Sequence, residues 1–156
     1  MTEKTRHEDY MNEVLALCEE AKELGDCPVA SVIVRDDKVI GRGANRRASA
    51  GDPTAHAEVE AIRDAARQTG SPDLSGATLY SAMEPCPMCC WAIKEAGINR
   101  IVLGARHAGM RRTDYGDYSV ESLIATTRSS LEVVDGIKVE ECEAMRRSWK
   151  HWVEPK

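Results

Sequence analysis

The chain has 156 residues, of which 42% are hydrophobic, so length and composition predict a single domain, residues 1–156, with one core. No run of about 18 apolar residues occurs, which argues against a transmembrane helix and a membrane partner. The formal net charge of −5 disfavours a nucleic-acid partner, because affinity for a polynucleotide comes largely from Lys and Arg at its phosphates.

The first half of the chain predicts a helix, a β-hairpin, a polar loop and a second helix. Apolar residues of the first helix recur every three or four positions, as one buried helix face requires. The two hairpin strands flank a tight turn of two aspartates. The predicted bounds are helix Glu8–Leu24, strands Val29–Arg35 and Lys38–Arg42, loop Asn45–Ala55 and helix His56–Gln68.

The second half alternates strands and helices. The predicted bounds are strand Ala77–Ala82, helix Pro87–Ala96, strand Ile101–Leu103, loop Ala105–Tyr118, helix Ser119–Thr126, strand Leu131–Val134 and helix Val139–Trp152. The strand at Ile101–Leu103 is apolar throughout, which predicts an internal position in the sheet. The order of elements predicts an α/β fold, a three-layer α-β-α sandwich around a five-stranded mixed sheet.

Six cysteines occur in the chain. Residues 1–9 are charged rather than apolar, so no signal peptide is predicted and a cytoplasmic location is expected. Cytoplasmic thiols stay reduced, which favours metal binding or catalysis over disulfides. Cys86 and Cys89 fall within one helical turn and share a face, whereas Cys90 points about 100° away from Cys89 and is expected to pack inward.

His56, Cys86 and Cys89 have the residue types of a catalytic zinc site. One imidazole and two thiolates supply three ligands for a tetrahedral Zn²⁺, and the fourth position is left for water. Both segments fall at predicted helix N-termini, where free N–H groups and the helix dipole favour thiolates.

Glu58 lies two positions after His56, roughly 200° around an ideal helix, so it is predicted beside the metal and not on it. A carboxylate there can accept a proton from zinc-bound water and return it to an amino leaving group. The chemistry predicted is attack on an amidine-like carbon with release of ammonia.

Simpler interpretations exist for each part. A helical His is often structural, a Glu is often a solvated face, and Cys-x-x-Cys occurs in zinc knuckles and in redox proteins. An inactive zinc-stabilised binding module is therefore kept as an alternative, although the presence of Glu58 favours an enzyme.

The other basic residues considered have no partner spacing that indicates a site. His7, His107 and His151 are expected at the surface, and Arg106, Arg111 and Arg112 are expected in a solvated loop.

These motifs resemble the cytidine deaminase superfamily over most of the chain, and most of all the branch with tRNA adenosine deaminases, yeast-type cytosine deaminases and bacterial guanine deaminases. The segments that resemble it are Gly41–Asn45, Asp52–Glu58, Ala77–Tyr80, Glu84–Cys89 and Val102–Ala105. The resemblance implies a cytidine deaminase-like fold and a homodimer. It also implies that the fourth and fifth strands run parallel.

The resemblance assigns roles to individual residues. It implies zinc binding by His56, Cys86 and Cys89, and proton transfer by Glu58. It further implies that the Asn45 side chain, together with backbone N–H groups including that of Ala57, contacts the base.

The expected substrate is a free nucleobase or a related amino-heterocycle, cytosine or guanine. Asp114 and Asp117 would repel phosphate and could accept hydrogen bonds from a base. The tail with Trp152 and Glu154 resembles the one that closes over the base in yeast-type cytosine deaminases. No nucleic-acid partner is expected, and a tRNA-specific adenosine deaminase is the alternative.

Overall fold

The computed structural model describes residues 1–156 and contains one five-stranded sheet in the order β2-β1-β3-β4-β5. The elements in chain order are α1 (Glu3–Glu23), β1 (Ala30–Arg35), β2 (Lys38–Ala44), α2 (Arg47–Ala50), α3 (Ala57–Thr69), β3 (Thr78–Met83), α4 (Pro87–Glu95), β4 (Arg100–Ala105), α5 (Val120–Thr127), β5 (Glu132–Val134) and α6 (Val139–Arg147).

The sheet is mixed, as the order of elements predicted. β1 pairs antiparallel with β2 and β3, whereas β3, β4 and β5 run parallel. The hairpin turn at Asp36 and Asp37 has φ values of 52° and 58°, the positive pair that a two-residue type I′ turn requires. The predictions of an α/β fold with a five-stranded mixed sheet and of a parallel last pair of strands are confirmed.

Helices cover both faces of the sheet and divide the core in two. Val32 and Val102 face a cluster that includes Met11 of α1 and Cys142 of α6. The residues at alternate positions, such as Ile33, face a cluster formed with α3, α4 and α5. The central strands are therefore buried on both sides, which explains why β4 is apolar throughout.

Three elements differ clearly from the sequence-based predictions, and two of these differences have an identifiable local cause. α1 begins five residues early, at Glu3, because the Thr2 hydroxyl accepts the N–H of Thr5 at 3.1 Å and caps the helix. The predicted loop before α3 contains the short helix α2, whose N–H groups at Ala48 and Ser49 are accepted by the Asp26 carboxylate at 3.0 and 2.9 Å. α6 ends at Arg147 instead of Trp152.

Helix α3 lies unusually close to strand β2. A Cβ atom added at Gly41 would lie 2.6 Å from the Cβ of Ala65, and one added at Gly43 would overlap the backbone of Ala57 and Ala61. The two glycines therefore allow backbone-to-backbone contact, and they set the height of the α3 N-terminus above the sheet. No helix of the molecule has the length and apolar character needed to cross a membrane.

Candidate active site

The three predicted metal ligands converge at the starts of two neighbouring helices. His56 is the N-cap residue of α3 and Cys86 is the N-cap residue of α4. The ligand atoms of His56, Cys86 and Cys89 all lie within 4.8 Å of one another. The Cys86 Sγ lies 3.6 Å from the His56 Nδ1 and accepts the backbone N–H of Cys89 at 3.5 Å.

This donor set fits zinc in composition and in environment. One imidazole nitrogen and two sulfurs are ligands that Zn²⁺ takes in tetrahedral sites with an open position. The hydrogen bonds from the Cys89 thiol and from His56 lower the pKa of Cys86, so the site favours the thiolate that a metal requires. Cys90 packs inward as predicted, with 3% of its surface exposed.

Glu58 lies in the first turn of α3 with only 4% of its surface exposed. Its Oε1 is 3.0 Å from the Ser81 Oγ, which also lies 2.7 Å from the carbonyl oxygen of Met83. Because a hydroxyl has one proton, Ser81 can donate to only one of these acceptors at a time. Burial raises the pKa of Glu58, and a carboxyl group that holds a proton can donate to Ser81 in return.

A cleft of about 120 Å³ opens next to these residues. Its lining includes His56, Ala57, Glu58 and Asn45, as the sequence predicted for metal, catalytic and substrate-binding groups. The Asn45 Oδ1 accepts the backbone N–H of Arg47 at 3.0 Å. This contact orients the amide so that its NH₂ group remains available to a ligand.

The structure does not bring the other four predicted substrate-binding residues into the cleft wall. Asp114 pairs with Arg112 at 2.6 Å, and Asp117 is exposed. Trp152 packs against the core cluster formed by α1 and α6, and its indole N–H donates to the exposed Glu154 at 3.1 Å. Their contact with substrate stays a prediction.

The rest of the cleft lining contains residues that were not predicted as site residues. They are His107, Arg112, Tyr115, Arg146, Cys27 and Glu84. The prediction of a surface position is wrong for His7 and His107, which are 4% and 6% exposed. His7 has Glu3 four positions before it in α1, 3.6 Å from its Nε2, but its burial also depends on Tyr80 of the distant strand β3. His107 has no partner at a recognisable sequence spacing.

Glu84 is the buried residue that holds this part of the cleft lining in place. Its carboxylate accepts the backbone N–H groups of His107 at 3.0 Å and Val120 at 2.9 Å, and the Arg106 Nε at 3.0 Å. Burial by itself would raise the pKa of Glu84, but these hydrogen bonds outweigh it and the net pKa is lowered. The sequence contained one indication of a role for Glu84, which is its position directly before the predicted metal-binding segment Pro85-Cys86.

Arg106 is also not in a solvated loop. Its guanidinium pairs with Glu84, with Asp135 at 2.8 Å and with Glu121. It therefore joins the end of β4 to the start of α5 and to the loop after β5. Since three carboxylates surround it, Arg106 is neutralised within the protein and is not free to bind an anion.

The fold and the site together define a zinc-dependent hydrolytic deaminase. A family model of the cytidine and deoxycytidylate deaminase zinc-binding region matches residues 4–105. The chain belongs to this family, and its cofactor is zinc.

Similar proteins cover most of the chain. A tRNA-specific adenosine deaminase of Haemophilus influenzae is 38% identical over 141 residues, which is 86% of this chain and 78% of that protein. One of Bacillus subtilis is 34% identical over 145 residues, which is 90% of this chain and 86% of that protein. A solved structure from studies of A-to-I editing by tRNA:A34 deaminases at the wobble position is 33% identical, with a TM-score of 0.77, and covers 88% of this chain and 98% of its own.

Some relatives are much longer than this chain. A tRNA(Ile)-lysidine synthase of Deinococcus radiodurans is 47% identical over 96 residues, and this chain spans only 16% of its length.

The predicted substrate and partner class are wrong. The sequence favours free cytosine or guanine and disfavours nucleic acid, but relatives at 34% to 41% identity are named tRNA-specific adenosine deaminases. The solved structure described above comes from studies of tRNA:A34 deaminases. The net charge of −5 was a poor guide to the substrate, because a total charge does not describe where the charges lie on the molecule. Arg112 and Arg146 both line the cleft.

Proposed function

We propose that this protein is a tRNA-specific adenosine deaminase that converts an anticodon adenosine to inosine. The observation that supports this most is the 34% to 38% identity to proteins of that name over 86% to 90% of the chain. The cleft agrees with it in charge. Of the groups in its lining, the two carboxylates are buried and hydrogen-bonded within the protein, whereas of the two arginines Arg112 pairs with Asp114 and Arg146 has no carboxylate partner.

The reaction adds water to C6 of adenine and releases ammonia. His56, Cys86 and Cys89 would hold the zinc, which would supply a Lewis acid that makes water a better nucleophile at neutral pH. Glu58 then has two tasks, accepting a proton from the attacking water and delivering one to the departing amino nitrogen. The buried position of Glu58 suits both tasks, because burial raises its pKa above the ordinary carboxyl value and helps it to hold the proton that it delivers.

Substrate orientation falls to groups on the metal side of the cleft. The Asn45 amide and the Ala57 backbone N–H supply hydrogen-bond donors to the ring of the base. The target base has to leave the anticodon loop to enter so narrow a cleft, which costs least in single-stranded RNA.

The test is deamination by purified, zinc-loaded protein of four substrates: a tRNA anticodon stem-loop with adenosine at the wobble position, adenosine, cytosine and guanine. We expect inosine in the stem-loop and little product from the other three. The Glu58→Ala variant should retain zinc and lose about 10²- to 10⁴-fold in rate, the usual contribution of a general acid–base group. Turnover of a free base without turnover of the stem-loop would refute the proposal.

A further inference from the structure

One wall of the cleft has two arginines that the deamination chemistry does not use. Arg112 and Arg146 line the same cleft as Glu58. Burial is the main cause that lowers the pKa of Arg146; the charge of Arg112 adds to it, whereas Cys27 and Asp114 oppose it. Asp114 pairs with Arg112, so the arginine of this cleft that has no carboxylate partner is Arg146, and a buried charge without a partner is unfavourable in a protein.

The two arginines differ in their partners. The Arg112 guanidinium donates to the Asp114 carboxylate at 2.6 Å. In Arg146 the Nε and Nη1 atoms are buried and have no hydrogen-bond partner. The Arg146 guanidinium lies 4.9 Å from the ring centroid of Trp152, so a cation–π contact holds it in place without using its N–H groups.

His107 is a second unpartnered group on this wall. It lines the cleft with 6% of its surface exposed, and neither ring nitrogen makes a well-aligned hydrogen bond, although the Pro85 backbone lies close enough to act on its pKa. Its backbone N–H is fixed by Glu84 at 3.0 Å, and its ring packs edge-on against Tyr115 at 5.2 Å. Buried polar groups are nearly always hydrogen-bonded in proteins, so unsatisfied groups in a cleft indicate a ligand that satisfies them.

We propose that Arg146, with His107 and Arg112 beside it, forms a subsite for a phosphodiester group of the RNA next to the adenosine being deaminated. The subsite rests on the proposed function, since a free base has no phosphate. A guanidinium fork can bind two oxygens of one phosphodiester. Arg146 lines the same cleft as Glu58 but is not part of the metal-ligand group, so the phosphodiester that we assign to it is one that flanks the reacting base.

The subsite acts in binding and not in proton transfer. For Arg146→Ala we expect the Kd and the KM of the stem-loop to rise about 10- to 100-fold, the range for one charged hydrogen-bonding group, with kcat nearly unchanged. The slope of log Kd against log salt concentration should fall by about 0.7, the amount for one phosphate contact in single-stranded nucleic acid.

Arg147→Ala is the matched control. Arg147 is the next residue of α6, has a 39% exposed side chain, and pairs with Glu143 and Glu154 outside the cleft lining. The Arg147→Ala substitution removes the same charge from the same helix, but from outside the cleft. The Kd of the stem-loop and the salt slope should therefore stay close to those of the wild type. Thermal unfolding and zinc content of both variants show whether either change acts through folding.

A chemical substitution tests the subsite in the wild-type protein, without any variant. A neutral methylphosphonate replaces each phosphate flanking the target adenosine in turn. At one position we expect it to weaken binding about as much as Arg146→Ala does. At that position Arg146→Ala should then cause little further loss, as expected for two changes that remove one contact. Arg146→Lys, which keeps the charge but not the fork, should give an intermediate Kd.

The outcomes separate the two proposals. If the wild type deaminates the stem-loop but Arg146→Ala behaves like Arg147→Ala, or no single methylphosphonate weakens binding, the subsite is refuted and the proposed function stands. If the wild type neither binds nor deaminates the stem-loop, the proposed function is refuted and the subsite with it.

Discussion

At the scale of single residues, His7 illustrates how a buried titratable group is accommodated in this fold. Its Nδ1 lies 2.7 Å from the Tyr80 hydroxyl, and its Nε2 lies 3.6 Å from a carboxylate oxygen of Glu3. Burial lowers the pKa of His7, and Glu3 only partly opposes this effect. The folded protein therefore favours the neutral imidazole, which links stability to pH.

The sign of this linkage follows from the lowered pKa. The unfolded chain protonates His7 near its ordinary pKa of about 6.5, whereas the folded chain resists protonation until lower pH. The contribution of His7 to the free energy of unfolding is thus complete above about pH 6.5 and decreases as the pH falls below it. We expect His7→Gln, which keeps a partner for Tyr80, to lose less stability than the wild type between pH 7.5 and pH 5.5.

Urea denaturation of zinc-loaded protein at several pH values measures this difference. His151 is exposed, and His151→Gln serves as the control that should follow the wild-type profile. Parallel profiles for His7→Gln and the wild type would show that His7 is not the linked group.

At the scale of elements, the site depends on where two helices begin. His56 precedes α3 and Cys86 precedes α4, and both residues have extended backbone conformations at the N-cap. The position of α3 is set by its contact with Gly41 and Gly43 of β2. A change in strand β2 can therefore move His56 and Glu58 although it touches neither.

Gly43→Ala tests this dependence. The added Cβ would overlap the backbone of Ala57 and Ala61, so α3 has to shift away from the sheet. We expect a loss of about 1–3 kcal/mol in the free energy of unfolding, as for overpacked cores, together with weaker zinc binding and slower turnover. Differential scanning calorimetry and metal titration measure the first two.

Gly109→Ala is a suitable comparison for Gly43→Ala. There the nearest atom to an added Cβ is the Glu143 Oε2 at 3.3 Å, at the end of a flexible side chain. The Gly109→Ala substitution should therefore lower the free energy of unfolding only slightly, because this side chain can move away. Equal effects of the two substitutions would argue against a special role for the β2–α3 contact.

At the scale of the whole molecule, the metal site joins two parts of the sandwich. α3 packs on the antiparallel strands β1 and β2, whereas α4 follows β3, where the parallel pairing begins. A metal held by His56, Cys86 and Cys89 links the starts of both helices. Binding energy available only in the folded state adds directly to its stability.

Removal of zinc should therefore destabilise the whole molecule. If the free zinc concentration was about 1,000 times the Kd, removing the metal should lower the free energy of unfolding by about 4 kcal/mol. This corresponds to a decrease in Tm of roughly 8–16 °C for a chain of this size. Thermal unfolding with and without a chelator measures it. In the Cys89→Ala variant the chelator should lower the Tm little further, because a metal ligand is already missing. Cys90 is a buried cysteine outside the ligand group, so the chelator should lower the Tm of the Cys90→Ala variant by the full amount.

The sequence was sufficient for the order of helices and strands along the chain and for the choice of His56, Cys86 and Cys89 as one metal-binding group, because both follow from local spacing and short motifs. The catalytic role of Glu58 stays a prediction. Period-two and helical patterns mark strands and helices, and the ligands lie within two short motifs at helix starts. The expected homodimer and cytoplasmic location stay predictions. The sequence also predicted the inward packing of Cys90, since the angle between neighbouring helix positions is a local property.

Only the tertiary structure decided which residues complete the cleft lining around the metal ligands. Residues 27, 84, 107, 112 and 146 are far apart in the chain, and no periodicity relates them. The sign and place of their charges depend on which loops the sheet brings together, whereas net charge is a sum that contains no positions. For the same reason, the tail residues Trp152 and Glu154 could be chosen from the sequence as substrate contacts although the fold places Trp152 against the core and beneath Arg146.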